Sequence, residues 1–273
     1  MTGIIDALNG GGGWIFGWLT YPFPAGWLRL IWVSALTGVL MVWIFGRVSD
    51  QEAIRKVRDR IRGHLLGVRL YQHDVGTVMR FQGQILRDTF RYMRHSLIPM
   101  LVLIAPLLLI LAQLNLYYSR APLLPGQSAV VKVVLQDASH LPLLDLQVSE
   151  GLLIDTPPVR IPALKEVNWR IRVEHSGLQK LTVGLGGRSY EKDVQVGELW
   201  QRVSEVRTRS AVLAILYPGE PMLPSAAGIE SIEVSHPYAS LQLAGWTIHW
   251  LVAFFALSIA FGFAFKGPMG VQV

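Results

Sequence analysis

The chain has 273 residues, 51% of them apolar, a formal charge of +6 and no cysteine. Its apolar excess is gathered into uncharged runs long enough to cross a bilayer, which excludes an ordinary soluble domain. The missing cysteines exclude disulfides, thiol catalysis and thiolate-bound metals.

Residues 1–26 form an aromatic N-terminal segment. Gly10-Gly11-Gly12-Gly13 precedes Trp14, Phe16, Trp18, Tyr21, Phe23 and Trp27. Four glycines argue against one continuous helix, and Trp and Tyr favour the headgroup level, so a short interfacial or re-entrant piece ending at Tyr21-Pro22-Phe23-Pro24 is expected. A mobile tail is the other reading. The first positive charge is Arg29, so there is no basic leader of the kind that precedes a cleaved signal peptide. The first span, 27–46, is then an uncleaved anchor with its N-terminus outside. Arg29 sits near the outer end of this span, where it can snorkel to phosphates or face a polar groove between helices.

Residues 47–97 carry the charge. From Gly46 to Leu97, eleven Arg and Lys face five Asp and Glu, and that surplus equals the +6 of the whole chain. Short loops rich in Lys and Arg stay on the cytoplasmic side, so this segment sets the orientation of the protein. Ser49 or Asp50 serves as an N-cap, with Glu52 in the first turn. Ile54, Val57, Ile61, Leu65 and Val68 recur at three and four residues, as do Val75, Val78, Met79, Ile85, Leu86 and Phe90. A turn at Tyr71-Gln72-His73-Asp74 joins the two stripes into a cytosolic helical hairpin. Its candidate contact residues are Arg55, Arg58, Arg62, Arg69, Arg87 and Arg91. His64, His73 and His95 lack metal-ligand spacing and are expected to be solvated.

The second span is 98–118, interrupted by Pro99 and Pro106, with a kink expected near Ile104. Gln113 and Asn115 lie in its outer half. From 119 to 240 the pattern changes to short alternating strands: Ala129–Leu135, Leu144–Val148, Pro158–Ile161, Val167–Val173, Leu178–Gly184, Tyr190–Val196 and Ile229–Val234. Turns at His175-Ser176-Gly177 and Gly186-Gly187 separate them, and an immunoglobulin-like β-sandwich in the periplasm follows. The stretch Glu198–Leu216 is left open. A third span, 241–266, carries His249 near its outer end, and a short tail, 267–273, ends inside. The fold class is therefore an α+β membrane protein with three transmembrane helices, multi-pass in the bacterial inner membrane.

The order of spans, the basic hairpin between Glu52 and Arg94, and Ile98-Pro99-Met100 at the start of the second span together resemble the three-span core of the YidC/Oxa/Get superfamily of membrane-protein insertases. The resemblance covers about 27–118 and 241–266. It implies insertion without covalent chemistry: the hairpin captures an apolar segment, and a thinned, partly hydrated path lowers its transfer cost. It also implies membrane lipids and other membrane proteins as partners. Two departures are visible: Arg29 lies near the outer edge rather than deep in a groove, and the β-domain falls between the second and third spans. Candidate intramembrane polar residues are Arg29, Gln113, Asn115 and His249.

No Walker loop, His-Glu-x-x-His or Gly-x-Ser-x-Gly is present, and Gly184-Leu185-Gly186-Gly187 reads as a β-turn rather than a phosphate loop. No catalytic residue, cofactor or metal site is expected, nor a nucleic-acid partner. Two functions follow: an insertase-like assembly factor for membrane proteins, or a non-catalytic structural subunit of a larger membrane complex.

Overall fold

The computed structural model describes residues 2–21, 23, 26–49, 51–70, 75–243 and 245–271, apart from the side chains at 2, 51, 53–55, 57–58, 91, 94–96, 98 and 243. The Asp50 cap, the Tyr71–Asp74 turn and the prolines after Tyr21 lie outside the described residues. So do the side chains of Arg55, Arg58, Arg91, Ile54, Val57 and His95. The chain forms two compact units, Met1–Leu30 with Leu108–Val252, and Ile31–Leu107 with Ala253–Val273.

The first unit is built on a two-layer antiparallel sandwich. Its strands are β1 (Ser128–Leu135), β2 (Asp145–Val148), β3 (Leu152–Ile154), β4 (Val159–Ile161), β5 (Glu166–Val173), β6 (Gly177–Leu185), β7 (Arg188–Val196), β8 (Val206–Thr208) and β9 (Ile229–Val234). One sheet has the order β3-β5-β1-β9-β8, with β4 also on β5, and the other is β2-β6-β7. Alternation explains the layering: Val131, Val133, Val167, Ile171, Leu181, Val183 and Val194 are buried between the sheets, while the residues between them face outward. Leu185 pairs with Arg188 across a two-residue loop, and Gly186 and Gly187 have φ of +58° and +78°. A tight hairpin of this hand needs φ above zero at both positions, which glycine alone adopts without cost. Six of the seven expected strands agree with the observed ones to within two residues at each end, and the seventh, Ile229–Val234, agrees at both ends.

Three elements of this unit differ from expectation. The N-terminal segment is a continuous helix, α1 (Thr2–Thr20), that runs through all four glycines. Tertiary contacts outweigh their poor propensity: Ile5 packs with Ala214 and Met222, Asn9 donates to the Ala214 carbonyl at 2.9 Å, and the Met222 amide donates to Asp6 at 3.0 Å. Within Glu198–Leu216, residues Ala211–Leu216 form α5, which supplies that contact. Finally, Leu241–Leu243 (β10) and Trp246–Ile248 (β11) pair as a hairpin around Gly245, φ +86°. Polar Gln242 and Thr247 face each other in this register, and the third apolar helix begins only at Trp250 rather than at Leu241.

The second unit is helical. It contains most of α2 (Trp27–Val48), all of α3 (Gln51–Leu70), α4 (Val75–Tyr118) up to Leu107, and α6 (Trp250–Lys266) from Ala253. Two helical stretches are long and apolar enough to cross a membrane, Trp27–Val48 and Pro99–Tyr118; α6, with 17 residues, is shorter. The hairpin and the second expected span are not separate helices. Helix α4 continues for 44 residues through Pro99 and Pro106, each of which leaves the carbonyl four residues earlier without its helical donor.

Helices α2 and α6 meet at glycine level. A Cβ on Gly38 would collide with the Ser258 carbonyl oxygen, and Gly262 faces the Gly38 carbonyl in turn. The Ser258 and Gly262 pair, four residues apart, lets two backbones approach to this distance. Gly38→Leu should force α2 and α6 apart and lower the thermal unfolding midpoint in detergent by several degrees, whereas Gly63→Ala, with open space around its Cβ, should raise it slightly, helix propensity favouring alanine by about 1 kcal/mol.

Candidate functional site

Three places in the molecule could carry function: the hairpin, an apolar groove in the same unit, and a polar and aromatic cluster in the first unit.

In the hairpin, α3 packs on one face of α4. His64 Nε2 lies 3.4 Å from the Asp88 carboxylate, which is almost wholly buried, and the Phe81 ring lies under Gly67, where a Cβ would come within 2.9 Å of it. The His64 ring also tilts on Phe81 at 5.9 Å. The expectation of a solvated His64 is thereby corrected: the imidazole is held between the two helices because Asp88, itself turned inward, needs a partner. Arg62 lies 3.9 Å from Asp59, and Lys56 pairs with Glu52 at 2.6 Å; all four side chains are exposed, and such pairs are worth at most about 1 kcal/mol. Arg69 and Arg87 are exposed as well. The described basic residues of the hairpin thus line a solvated surface.

The groove lies among α2, α4 and α6 within the second unit. Its volume is about 240 Å³, and its walls are Gly38, Met41, Val42, Leu107, Phe254 and Ile259, with Lys266 at one end. Gly38 and Gly262 border it where the backbones of α2 and α6 touch. Ser258 lines it too, and its hydroxyl is buried without a hydrogen-bond partner.

The expected intramembrane polar residues belong to the first unit. Arg29 stacks its guanidinium on the Tyr117 ring at 5.2 Å, and its Nε is buried without a partner. Tyr117 in turn stacks on Phe16 of α1 at 5.5 Å. Gln113, one turn earlier on the same face of α4, is buried against Gly12 and Gly13, where Arg202 also approaches. Helix α1 therefore covers Gln113, and its Phe16 meets the same Tyr117 ring on which Arg29 stacks. Asn115 is half-buried on another face of α4. His249 is exposed; its Nδ1 accepts from the Leu251 amide at 3.3 Å and so caps α6, and its ring stacks on Trp250.

Sequence reasoning passed over the centre of this cluster, Tyr118. Its hydroxyl donates to the Gly26 carbonyl at 2.8 Å, and its ring sits between Trp200 at 5.3 Å and Trp250 at 6.4 Å. Trp200 adopts φ +71°, a conformation that a bulky residue holds only when packing compels it. The sequence signal is the adjacent Tyr117-Tyr118 pair that closes the apolar stretch, two rings with polar tips.

Two buried titratable groups also lie in this unit. Lys192 is fully buried; its Nζ donates to Glu220 at 2.7 Å, to the Ser204 carbonyl at 2.6 Å and to the Ser204 hydroxyl at 3.1 Å. Burial lowers its pKa, and the Glu220 carboxylate opposes that shift. His236 Nδ1 lies 3.0 Å from the Val234 carbonyl, and burial pushes the imidazole down to about 4. Among the described residues no three His, Asp or Glu side chains gather to hold a metal.

Glu220→Gln should cost about 3–5 kcal/mol, because it strands a buried ammonium, and should be read as a fall in the unfolding midpoint. His236 has its neutral form favoured in the fold. Its contribution is complete above about pH 6.5 and is lost as pH falls towards 4, about 3 kcal/mol in all. The unfolding midpoint of the unaltered protein should therefore drop more steeply over that window than that of His236→Gln; equal slopes would refute the assignment.

The chain matches no family model, no curated protein and no solved structure.

Proposed function

We propose that this protein is a membrane-embedded assembly factor of insertase-like type, working without covalent chemistry in the bacterial inner membrane. On this reading α2, the apolar half of α4 and α6 lie in the bilayer, the arginine-rich hairpin faces the cytosol and the immunoglobulin-like sandwich lies in the periplasm. The N-terminus is then outside and the C-terminus inside, with lipids and other membrane proteins as partners. The observation that carries the proposal is the apolar groove among α2, α4 and α6, walled by Met41, Leu107, Phe254 and Ile259 and ending at Lys266. A groove of this chemistry at membrane depth accepts the apolar side chains of a client helix. The same unit bears the hairpin, so capture and lateral release need no second subunit. The lysine at its inner end agrees with the orientation that the hairpin's arginines dictate.

A structural subunit is the second reading. It is favoured by the first unit, where Arg29 is engaged by Tyr117, Gln113 by α1, and Tyr118 by Trp200 and Trp250, rather than left to face a path for clients.

Ile259 is exposed on the groove wall, so a photo-crosslinking residue placed there leaves the packing intact. In cells of the native host, adducts to many newly made membrane proteins are expected, together with loss of those clients from the inner membrane on depletion. A single stoichiometric adduct with unchanged membrane composition would transfer the assignment to the structural subunit.

A further inference from the structure

Helix α4 is apolar on two sides, and the hairpin uses one of them. Val78, Phe81, Ile85 and Asp88 turn towards α3 and are buried or half-buried. On the opposite side Met79, Leu86 and Met93 recur every seven residues, and Gly83, Phe90 and Leu97 follow each by four. This is the 3.5-residue repeat of a helix that pairs with another helix along a seam. Yet Met79 is 63% exposed, Leu86 61%, Phe90 66%, Met93 58% and Leu97 55%. A face this long, regular and apolar beside exposed charges marks a contact that this chain does not itself satisfy.

Charge decides what fits. Arg80 and Arg87, both exposed, each follow a seam residue and line one edge of the repeat; the other edge holds Gln82 and Thr89, which are uncharged. A second copy aligned in parallel would bring Gln82 and Thr89 to the arginine edge, with no carboxylate among them. Aligned antiparallel, it would set arginines against arginines. A lipid surface fits no better. With the apolar half of α4 in the bilayer, as proposed above, the unbroken helix carries Met79 about 30 Å beyond Pro99 at about 1.5 Å per residue. We infer that this face of α4 is a docking surface for an amphipathic helix of a partner protein, apolar where it enters the seam and acidic along the edge that meets Arg80 and Arg87. The inference rests on the membrane placement but not on client insertion, and a structural subunit would use the same surface.

The test uses the full-length protein in nanodiscs and a synthetic heptad-repeat peptide with leucine along its seam and glutamate on its flanks, against the same peptide with lysine for glutamate. The glutamate peptide should bind at least about tenfold more tightly and lose affinity with salt. Phe90→Ser should weaken binding about tenfold or more, and the double variant Arg80→Glu with Arg87→Glu should transfer the preference to the lysine peptide. These side chains are exposed, so the variants should keep the wild-type unfolding midpoint. Equal binding of both peptides, or of neither, overturns the inference. So does a dimer of the protein that Phe90→Ser abolishes, which would assign the seam to a second copy. Crosslinking at Ile259 is independent of these outcomes and reports separately on the insertase-like reading.

Discussion

A single helix of 44 residues with two internal prolines is the constraint on which the rest depends. Proline in a helix interior withholds one donor and crowds the preceding turn, at a cost of about 3 kcal/mol in an exposed helix. Here the flanking residues are almost all Leu, Ile, Met and Ala, and the helix runs on. Because α4 does not break at Pro99, the basic half and the apolar half belong to one continuous helix. The face that packs on α3 and the seam on the opposite side are then set by the same register, and a one-residue shift would exchange them with charged positions.

The first unit shows how tertiary contacts override local preference. Four consecutive glycines make a poor helix by themselves, but α1 is held at both ends of that run. Asp6 and Asn9 bond to Met222 and Ala214 before it, and Phe16 stacks on Tyr117 after it. Of the four, Gly12 and Gly13 lie against Gln113, while Gly10 and Gly11 face open space. The Lys192 and Glu220 pair acts in the same region. An ammonium with no access to water is tolerable only because a carboxylate, a carbonyl and a hydroxyl surround it, which ties β7 to the loop after α5.

The two units divide the polar groups in a way that bears on function. In the first, the guanidinium of Arg29 stacks on an aromatic ring and the amide of Gln113 is buried against glycines. In the second, the described arginines of the hairpin face solvent and the groove between helices is apolar. Any transfer path along that groove would work by apolar matching and close backbone approach, with Ser258 as its polar point. A water-filled channel lined by charges is a different device, and the residues proposed for one lie elsewhere.

Period and composition alone determined much of this protein. Two-residue alternation and paired glycines located the main strands and the β6–β7 turn, and the uncharged runs located the two long apolar stretches, because these signals are local. What the tertiary structure decided depends on partners distant in sequence. The helicity of Gly10–Gly13 rests on residues two hundred positions away. The late start of α6 rests on Leu241–Leu243 finding Trp246–Ile248, a pairing that hydropathy averaging erases. The stripe of Val75, Val78, Met79, Ile85, Leu86 and Phe90 was read as one face, but only the packing of α3 separates it into a buried column and an exposed one. Arg29 and His249 looked alike as polar residues near span ends. The fold distinguished them, because one has an aromatic ring above it and the other a free helix end beside it.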